Sequence, residues 1–208
     1  CSDTGYLENG ELCPCARLKL AGRKYSSSGI NENAGFDRFN ENIFKDPEQL
    51  KRTRRAAEIC AQYAENLEIG GAKGLLLMGE TGLGKTFLMD SIGREAIRRG
   101  CSVKKYTAYN LIDAALRAVR QHEAGPELTG AELLLLDDLG TEPMIPGVTI
   151  ETLFAAINER QFAGKATVIA TNLTKNELFT QYGERIFSRL FASREYAAIT
   201  LRGKDLRM

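Results

Sequence analysis

One stretch, Gly79-Glu80-Thr81-Gly82-Leu83-Gly84-Lys85-Thr86, limits what this chain can fold into more than any other. It has the spacing G-x-x-x-x-G-K-T and follows the apolar run 74–78, short and turn-bounded like a buried strand. Beyond it, residues 87–99 carry Leu88, Ile92 and Ala96 at helical spacing, and Gly100 supplies a stop. Strand, glycine-rich loop and helix in that order are the context that makes the spacing meaningful. The glycines let successive N–H groups turn inward and let an anion approach the backbone, and the start of the helix adds its positive dipole end. Lys85 is then placed to reach the β- and γ-phosphates of a nucleoside triphosphate, and the Thr86 hydroxyl to ligate Mg²⁺.

A second chemical signal is the strand-like segment 131–138, four leucines closing on Asp137 and Asp138. Buried strands do not end in adjacent carboxylates unless something positive meets them. With this strand beside 74–78, Asp137 arrives next to Thr86 and holds Mg²⁺ through water, while Asp138 orients or deprotonates an attacking water. Strand 167–170 ends in Thr171-Asn172, a polar pair at the edge of a nucleotide crevice, where Asn172 senses the γ-phosphate or positions water. Residues 183–190 read as a helix with Arg185 and Arg189 four apart, either solvated or offered to a neighbouring subunit's nucleotide.

The remaining segments alternate in type. Asp46 caps a helix with Pro47 in first position and Gln49 reaching back to the cap; Leu50, Thr53, Ala57, Cys60, Ala64 and Leu67 form its inner stripe. Lys51, Arg52, Arg54 and Arg55 form its outer face, read first as solvated and second as a nucleic-acid or partner surface. Strand 102–106 leads into a helix over 109–121, capped by Thr107, with Ile112, Ala115, Leu116 and Val119 inward. A helix over 151–163 and a last strand over 196–201 complete an α/β pattern with a parallel sheet covered on both faces.

The 208 residues suffice for one large domain with a small appendage, and the net charge of +1 means that any nucleic-acid surface is a local patch. No apolar run is long enough to span a membrane. The five cysteines are odd in number, and a nucleotide site points to a cytoplasmic setting without a disulfide framework. Cys60 and Cys101 read as buried hydrophobes. Cys1, Cys13 and Cys15 cluster around a potential hairpin and make an incomplete zinc site: tetrahedral zinc needs four ligands, and the single histidine, His122, is remote. The fourth ligand is expected upstream of Cys1, so the chain reads as a fragment or processed product. Residues 21–33, polar and without periodicity, read as a linker.

Taken together, the phosphate loop at 79–86, Leu-Asp-Asp-Leu-Gly at 136–140, Thr-Asn at 171–172, Gly-Glu-Arg-Ile-Phe-Ser-Arg-Leu at 183–190 and Asp205-Leu206-Arg207 resemble the AAA+ ATPase of bacterial or phage replicative-helicase loaders of the DnaC/DnaI type. The opening Cys-x-Asp-Thr-Gly-Tyr…Cys-Pro-Cys resembles the zinc-binding linker that precedes it. The resemblance implies a three-layer P-loop domain over 36–208, with a five-stranded parallel sheet and little or no helical lid, a flexible linker at 21–35 and the remnant of the zinc-binding linker at 1–20. It implies ATP and Mg²⁺ as cofactors, with Zn²⁺ in the intact parent protein. It assigns Lys85 and Thr86 to phosphate and metal, Asp137 to metal-bound water and Asn172 to sensing. Asp138 stands where most relatives carry a catalytic glutamate, which implies slow hydrolysis. Arg189, ahead of Arg185, becomes an arginine finger and Arg207 a second sensor. The implied partners are a hexameric replicative helicase, single-stranded DNA and further copies of the chain assembled with nucleotide. Helix 109–121 would line the DNA path, with Lys104, Lys105, Arg117 and Arg120 as backbone contacts. A transposase-partner ATPase of the IstB type and a nucleotide-gated adaptor are the competing readings.

Overall fold

The computed structural model describes residues 27–67, 74–122, 125–126, 128–192 and 195–207, together with Thr4 and Cys13. Two short 3₁₀ turns, Phe36–Arg38 and Glu41–Ile43, precede α1 (Pro47–Glu65). There follow β1 (Gly74–Met78), α2 (Lys85–Arg98), β2 (Val103–Thr107), α3 (Ala108–Gln121), β3 (Leu133–Leu139), α4 (Thr149–Phe162), β4 (Ala166–Thr171), α5 (Lys175–Phe191) and β5 (Tyr196–Thr200). The five strands form one parallel sheet in the order β2-β3-β4-β1-β5.

Side chains alternate across the sheet and so divide the core in two. Leu75, Leu77, Leu133, Leu135 and Val168 face α1 and α2; Leu76, Met78, Leu136 and Ile169 face α3, α4 and α5. The result is three layers. Strands covered on both faces are near-continuous apolar runs, as 74–78 and 133–136 are.

Helix starts follow their caps. The Asp46 side chain accepts from Glu48 N at 2.9 Å with Pro47 in the first turn, and Thr107 accepts from Asn110 N at 3.1 Å. Gln49 does not reach back to the cap. Its amide instead pairs with the backbone of Lys204, donating from Nε2 to the carbonyl at 2.8 Å and accepting the N–H on Oε1 at 3.0 Å. On α3 the buried face is Ala108, Leu111, Ile112, Ala115 and Ala118, a small rotation from the expected one that leaves Val119 64% exposed. The helix expected over 183–190 is the second half of α5. Its first half starts at a Thr174–Glu177 capping box, and Gly183 (φ 74°, ψ 176°) breaks the two apart.

Of the stretch read as a linker, residues 27–35 pack on the domain. Ser28, Ile30 and Ala34 are buried, and Ile30 joins the core beside α2. Cys60 and Cys101 are buried free thiols, as expected, and burial pushes the Cys60 pKa up to about 12. Cys13 is buried and disulfide-bonded, so against expectation its sulfur is not a free thiolate for zinc; Cys1 and Cys15 of the expected zinc cluster lie outside the described residues. Among the described residues no group of three or more His, Cys, Asp or Glu is arranged to hold a metal.

Candidate nucleotide site

At the carboxyl end of β1 the chain turns through Gly79 (φ 140°), Gly82 (φ 81°) and Gly84 (φ 88°), backbone that side-chain-bearing residues rarely adopt. At Gly82 space is restrictive as well: a Cβ would lie 2.0 Å from Asp205 Oδ1. A Cβ at Gly84 would meet nothing within 4 Å, so there the backbone angle, and not space, calls for glycine. α2 begins at Lys85, directly beneath this concavity. Lys85 Nζ is folded back and donates to the Gly79 and Glu80 carbonyls, each at 2.7 Å. Burial pulls its ammonium below its ordinary pKa, against the charges of Asp138 and Asp137. A phosphate offers that ammonium a stronger acceptor than two carbonyls do.

Thr86 and Asp137 meet, but by a different route from the one expected. β3 is not next to β1, because β4 lies between them. α2 instead crosses the sheet and lies over β3, where a Cβ on Gly93 would come within 2.8 Å of Leu135 Cδ1. That crossing carries Thr86 to the end of β3, where Thr86 Oγ1 donates to Asp137 Oδ1 at 3.3 Å. A hydroxyl and a carboxylate oxygen at one phosphate loop suit Mg²⁺, which takes oxygen ligands and keeps several waters.

Adjacent residues of a regular strand point to opposite faces, so a straight β3 could not aim both Asp137 and Asp138 at the loop. Asp138 solves this with left-handed backbone (φ 54°), and the pairing of β3 with β4 shifts register between Leu136 and Leu139. The kinked segment is tied on several sides. Asp138 N donates to Asp137 Oδ1 at 3.0 Å, Thr171 Oγ1 donates to the Leu139 carbonyl at 2.6 Å, and Gly140 N donates to the buried Glu142 at 2.9 Å. Tyr182 OH also donates to Glu142. Burial, then the neighbouring Asp137 charge, raises the Asp138 pKa. Glu142 and Tyr182 had no sequence signal; a buried acid four residues beyond Asp138 is visible only in the fold.

The cleft above the loop has a volume of about 500 Å³. Thr81 to Thr86, Asp138, Asn172 and Arg207 line its polar side, and Phe39, Ile43, Phe44 and Leu206 an apolar one. Arg207 holds Asp205 with two hydrogen bonds, at 3.0 and 2.7 Å, and its guanidinium keeps the Asp205 carboxyl down at about 2. Residues 201–207 are strapped across the loop: Leu201 N donates to the Met78 carbonyl at 2.8 Å and Leu206 N to the Gly82 carbonyl at 3.0 Å.

Arg189 and Arg185 stand apart from this cleft, on the second half of α5. The Arg185 guanidinium lies 3.6 Å over the Phe154 ring, and that of Arg189 is 5.9 Å from the same ring. Lys105 does not face a DNA path: it is buried against Asp90 and Asp137, because β2 is covered by α2 at that position. Lys104 donates to the Ser27 carbonyl at 3.3 Å, and Arg117 pairs with Asp113 on its own helix. Among the described residues no helix is long and apolar enough to cross a membrane.

The sequence profile of the IstB-like ATP binding proteins matches residues 62–191. The chain is 25% identical over 178 residues to the replicative helicase loader DnaC of Escherichia coli, a match covering 81% of this chain and 68% of that protein. It is 35% identical over 127 residues to the chromosomal replication initiator protein DnaA of Zymomonas mobilis, covering 57% of this chain but 24% of the initiator. A putative ATP-binding protein of insertion sequence IS5376, from Geobacillus stearothermophilus, is 31% identical over 122 residues, covering 57% of this chain and 46% of that protein. Among solved structures, that of the DnaC helicase loader superposes with a TM-score of 0.66 at 20% identity, covering 82% of this chain and 98% of that one. The fold is thus the α/β P-loop AAA+ fold with its five-stranded parallel sheet.

Proposed function

The chain belongs to the IstB-like ATP-binding family, and from that premise we propose that it is a Mg²⁺-dependent AAA+ ATPase that places a ring-shaped replicative helicase on single-stranded DNA. The carrying observation is the convergence of Lys85, Thr86, Asp137 and the kinked Asp138 on one glycine-rich loop. On this reading the loop amides and Lys85 bind the β- and γ-phosphates, and Thr86 and Asp137 hold Mg²⁺, directly or through water. Bound there, the ion supplies charge neutralisation at the transferring phosphoryl group. Asp138 orients the attacking water and takes its proton, and its raised pKa suits a base that must also release that proton. Asn172 at the cleft edge contacts the γ-phosphate or the water. Arg207 exchanges Asp205 for phosphate, while Arg189, remote from its own cleft, completes the site of a neighbouring copy. A cytoplasmic setting belongs to the same reading.

The likeness to the loader over most of the chain favours a helicase partner. The family profile and the insertion-sequence relative favour a second reading, in which the same ATPase serves a transposase. Size-exclusion co-elution of the protein with the replicative helicase of its source, with ATP, with ADP and without nucleotide, separates them. A stable complex supports loading. Its absence in all three conditions, with stimulation of a cognate transposase, supports the alternative.

A further inference from the structure

Beside the metal-facing end of the nucleotide site lies a buried cation that the proposed chemistry leaves unused. Lys105, on β2, is 11% exposed at its side chain, and its Nζ lies 2.8 Å from Asp90 Oδ1 and 3.1 Å from Asp137 Oδ2. The two acids are each 4% exposed at the side chain. Burial alone would lower the Lys105 pKa, but its contacts with Asp90 and Asp137 outweigh that and hold it above its ordinary value. Asp90 and Thr86 are four residues apart on α2 and therefore share a face of that helix. The four side chains form an ordered array: Thr86 on Oδ1 of Asp137, Lys105 on Oδ2 of the same carboxylate, and Asp90 behind Lys105.

This arrangement does two things to Asp137. It occupies the oxygen turned away from Thr86, leaving Oδ1 as the one aimed at the phosphate loop. It also leaves three charges, one positive and two negative, where removal of Lys105 would leave two negative charges unopposed. Resting on the nucleotide-site reading above, we propose that Lys105, anchored by Asp90, is a positioning residue of the divalent-ion site. It presents Asp137 through one oxygen and offsets enough negative charge that the ion is retained together with a nucleotide phosphate and released without one. Asp90 tunes this by sharing the ammonium: the more Lys105 belongs to Asp90, the more charge Asp137 offers the metal.

The two substitutions therefore act in opposite directions. Lys105→Met strengthens the pull of the site on a divalent ion, whereas Asp90→Asn commits Lys105 wholly to Asp137 and weakens it. One charge a few ångströms from a divalent ion changes such an affinity on the order of tenfold even in a water-like dielectric, and more in a drier site. The test uses Mn²⁺ as the probe, its free signal followed by electron paramagnetic resonance, with the whole chain alone and saturated with the non-hydrolysable analogue AMPPCP. The expected results are Mn²⁺ binding tightened about tenfold in Lys105→Met, with retention even without nucleotide, and weakened severalfold in Asp90→Asn. Shifts in the same direction, or none, overturn the proposal, since a purely structural pair would be damaged alike from either side. Should Lys105→Met not fold, Asp90→Asn decides alone: weaker binding supports the proposal, and unchanged or tighter binding overturns it. If the unsubstituted chain retains no Mn²⁺ with AMPPCP, the nucleotide reading falls, and this proposal with it.

Discussion

The two ends of the same sheet treat buried charge in opposite ways. At the amino ends of β3 and β4, Arg160 of α4 is 1% exposed, yet its guanidinium meets carbonyls and a hydroxyl rather than an acid. It donates to the carbonyls of Leu128, Ala131, Glu132 and Ala166 and to Thr167 Oγ1, at 2.6 to 3.1 Å. Burial pulls its pKa down to about 10, still well above neutrality. At the carboxyl ends, Lys85 and Asp138 line a cleft with Asp137 buried just behind them, and two of Lys85's donors are spent on carbonyls of its own loop. Arg160 is closed off and saturated; the other cluster is left open and only provisionally satisfied. A charge whose donors are all used inside the protein holds the structure together, and one with replaceable partners is ready for a ligand.

That contrast can be broken, and the sharpest attempt is at the open end. Asp138→Asn should slow ATP hydrolysis by about a hundredfold or more, while fluorescent-nucleotide binding stays roughly unchanged, because the side chain acts on water rather than on the phosphates. Loss of binding in parallel would make Asp138 a structural residue like Arg160. At the closed end, Arg160→Met strands four carbonyls and a hydroxyl. It should cost about 3 kcal/mol or more in a denaturant titration, with nucleotide affinity intact in whatever remains folded. Lys85→Ala should show the reverse: nucleotide affinity down by about 2 kcal/mol, some thirtyfold, and a melting temperature scarcely moved. Gln49→Ala, which frees the backbone of Lys204, should cost about 1 kcal/mol and weaken nucleotide binding in step with removal of residues 202–208.

The smallest effect concerns the Asp205–Arg207 pair, in which Arg207 is exposed and Asp205 half-buried against the phosphate loop. The folded carboxyl sits at about 2 against an ordinary 3.8, so its contribution is complete above pH 4 and disappears as the pH falls from there through about 2. Exchange of the Leu206 amide should accelerate across that window, and Arg207→Ala should abolish the dependence.

Much of the open end was legible in the sequence because its chemistry is local: eight consecutive residues, a leucine run ending in two acids, and an asparagine after a strand. What connects these pieces is not local. The position of β4 between β1 and β3 cannot be read from any one segment, and the approach of Thr86 to Asp137 depends on the crossing of α2 instead. Gln49 has the position and chemistry of a capping residue, but a partner 155 residues away takes its amide. Lys105 reads as one of a basic pair on a strand, and only burial under α2 turns it inward. On α3, Ala118 is small enough to lie against its neighbours while Val119 turns to solvent, a choice that hydrophobicity alone gets backwards. Gly183 carries no side chain to reveal that it splits a helix.

The strap from Leu201 to Arg207 has a consequence for how the protein is made. β1 and the phosphate loop leave the ribosome early, but β1 acquires its β5 neighbour only when residues 196–200 arrive, and the loop is tied at Gly82 only by Leu206. Pairing over such a sequence distance forms late and slowly. A nascent chain therefore exposes both edges of β1 until β4 is made, and one edge with an unfinished phosphate loop until residues 196–206 follow. Nucleotide is then a ligand of the finished chain and not a template for folding it, and a chain halted before residue 201 should depend on chaperones rather than on ATP concentration to stay soluble.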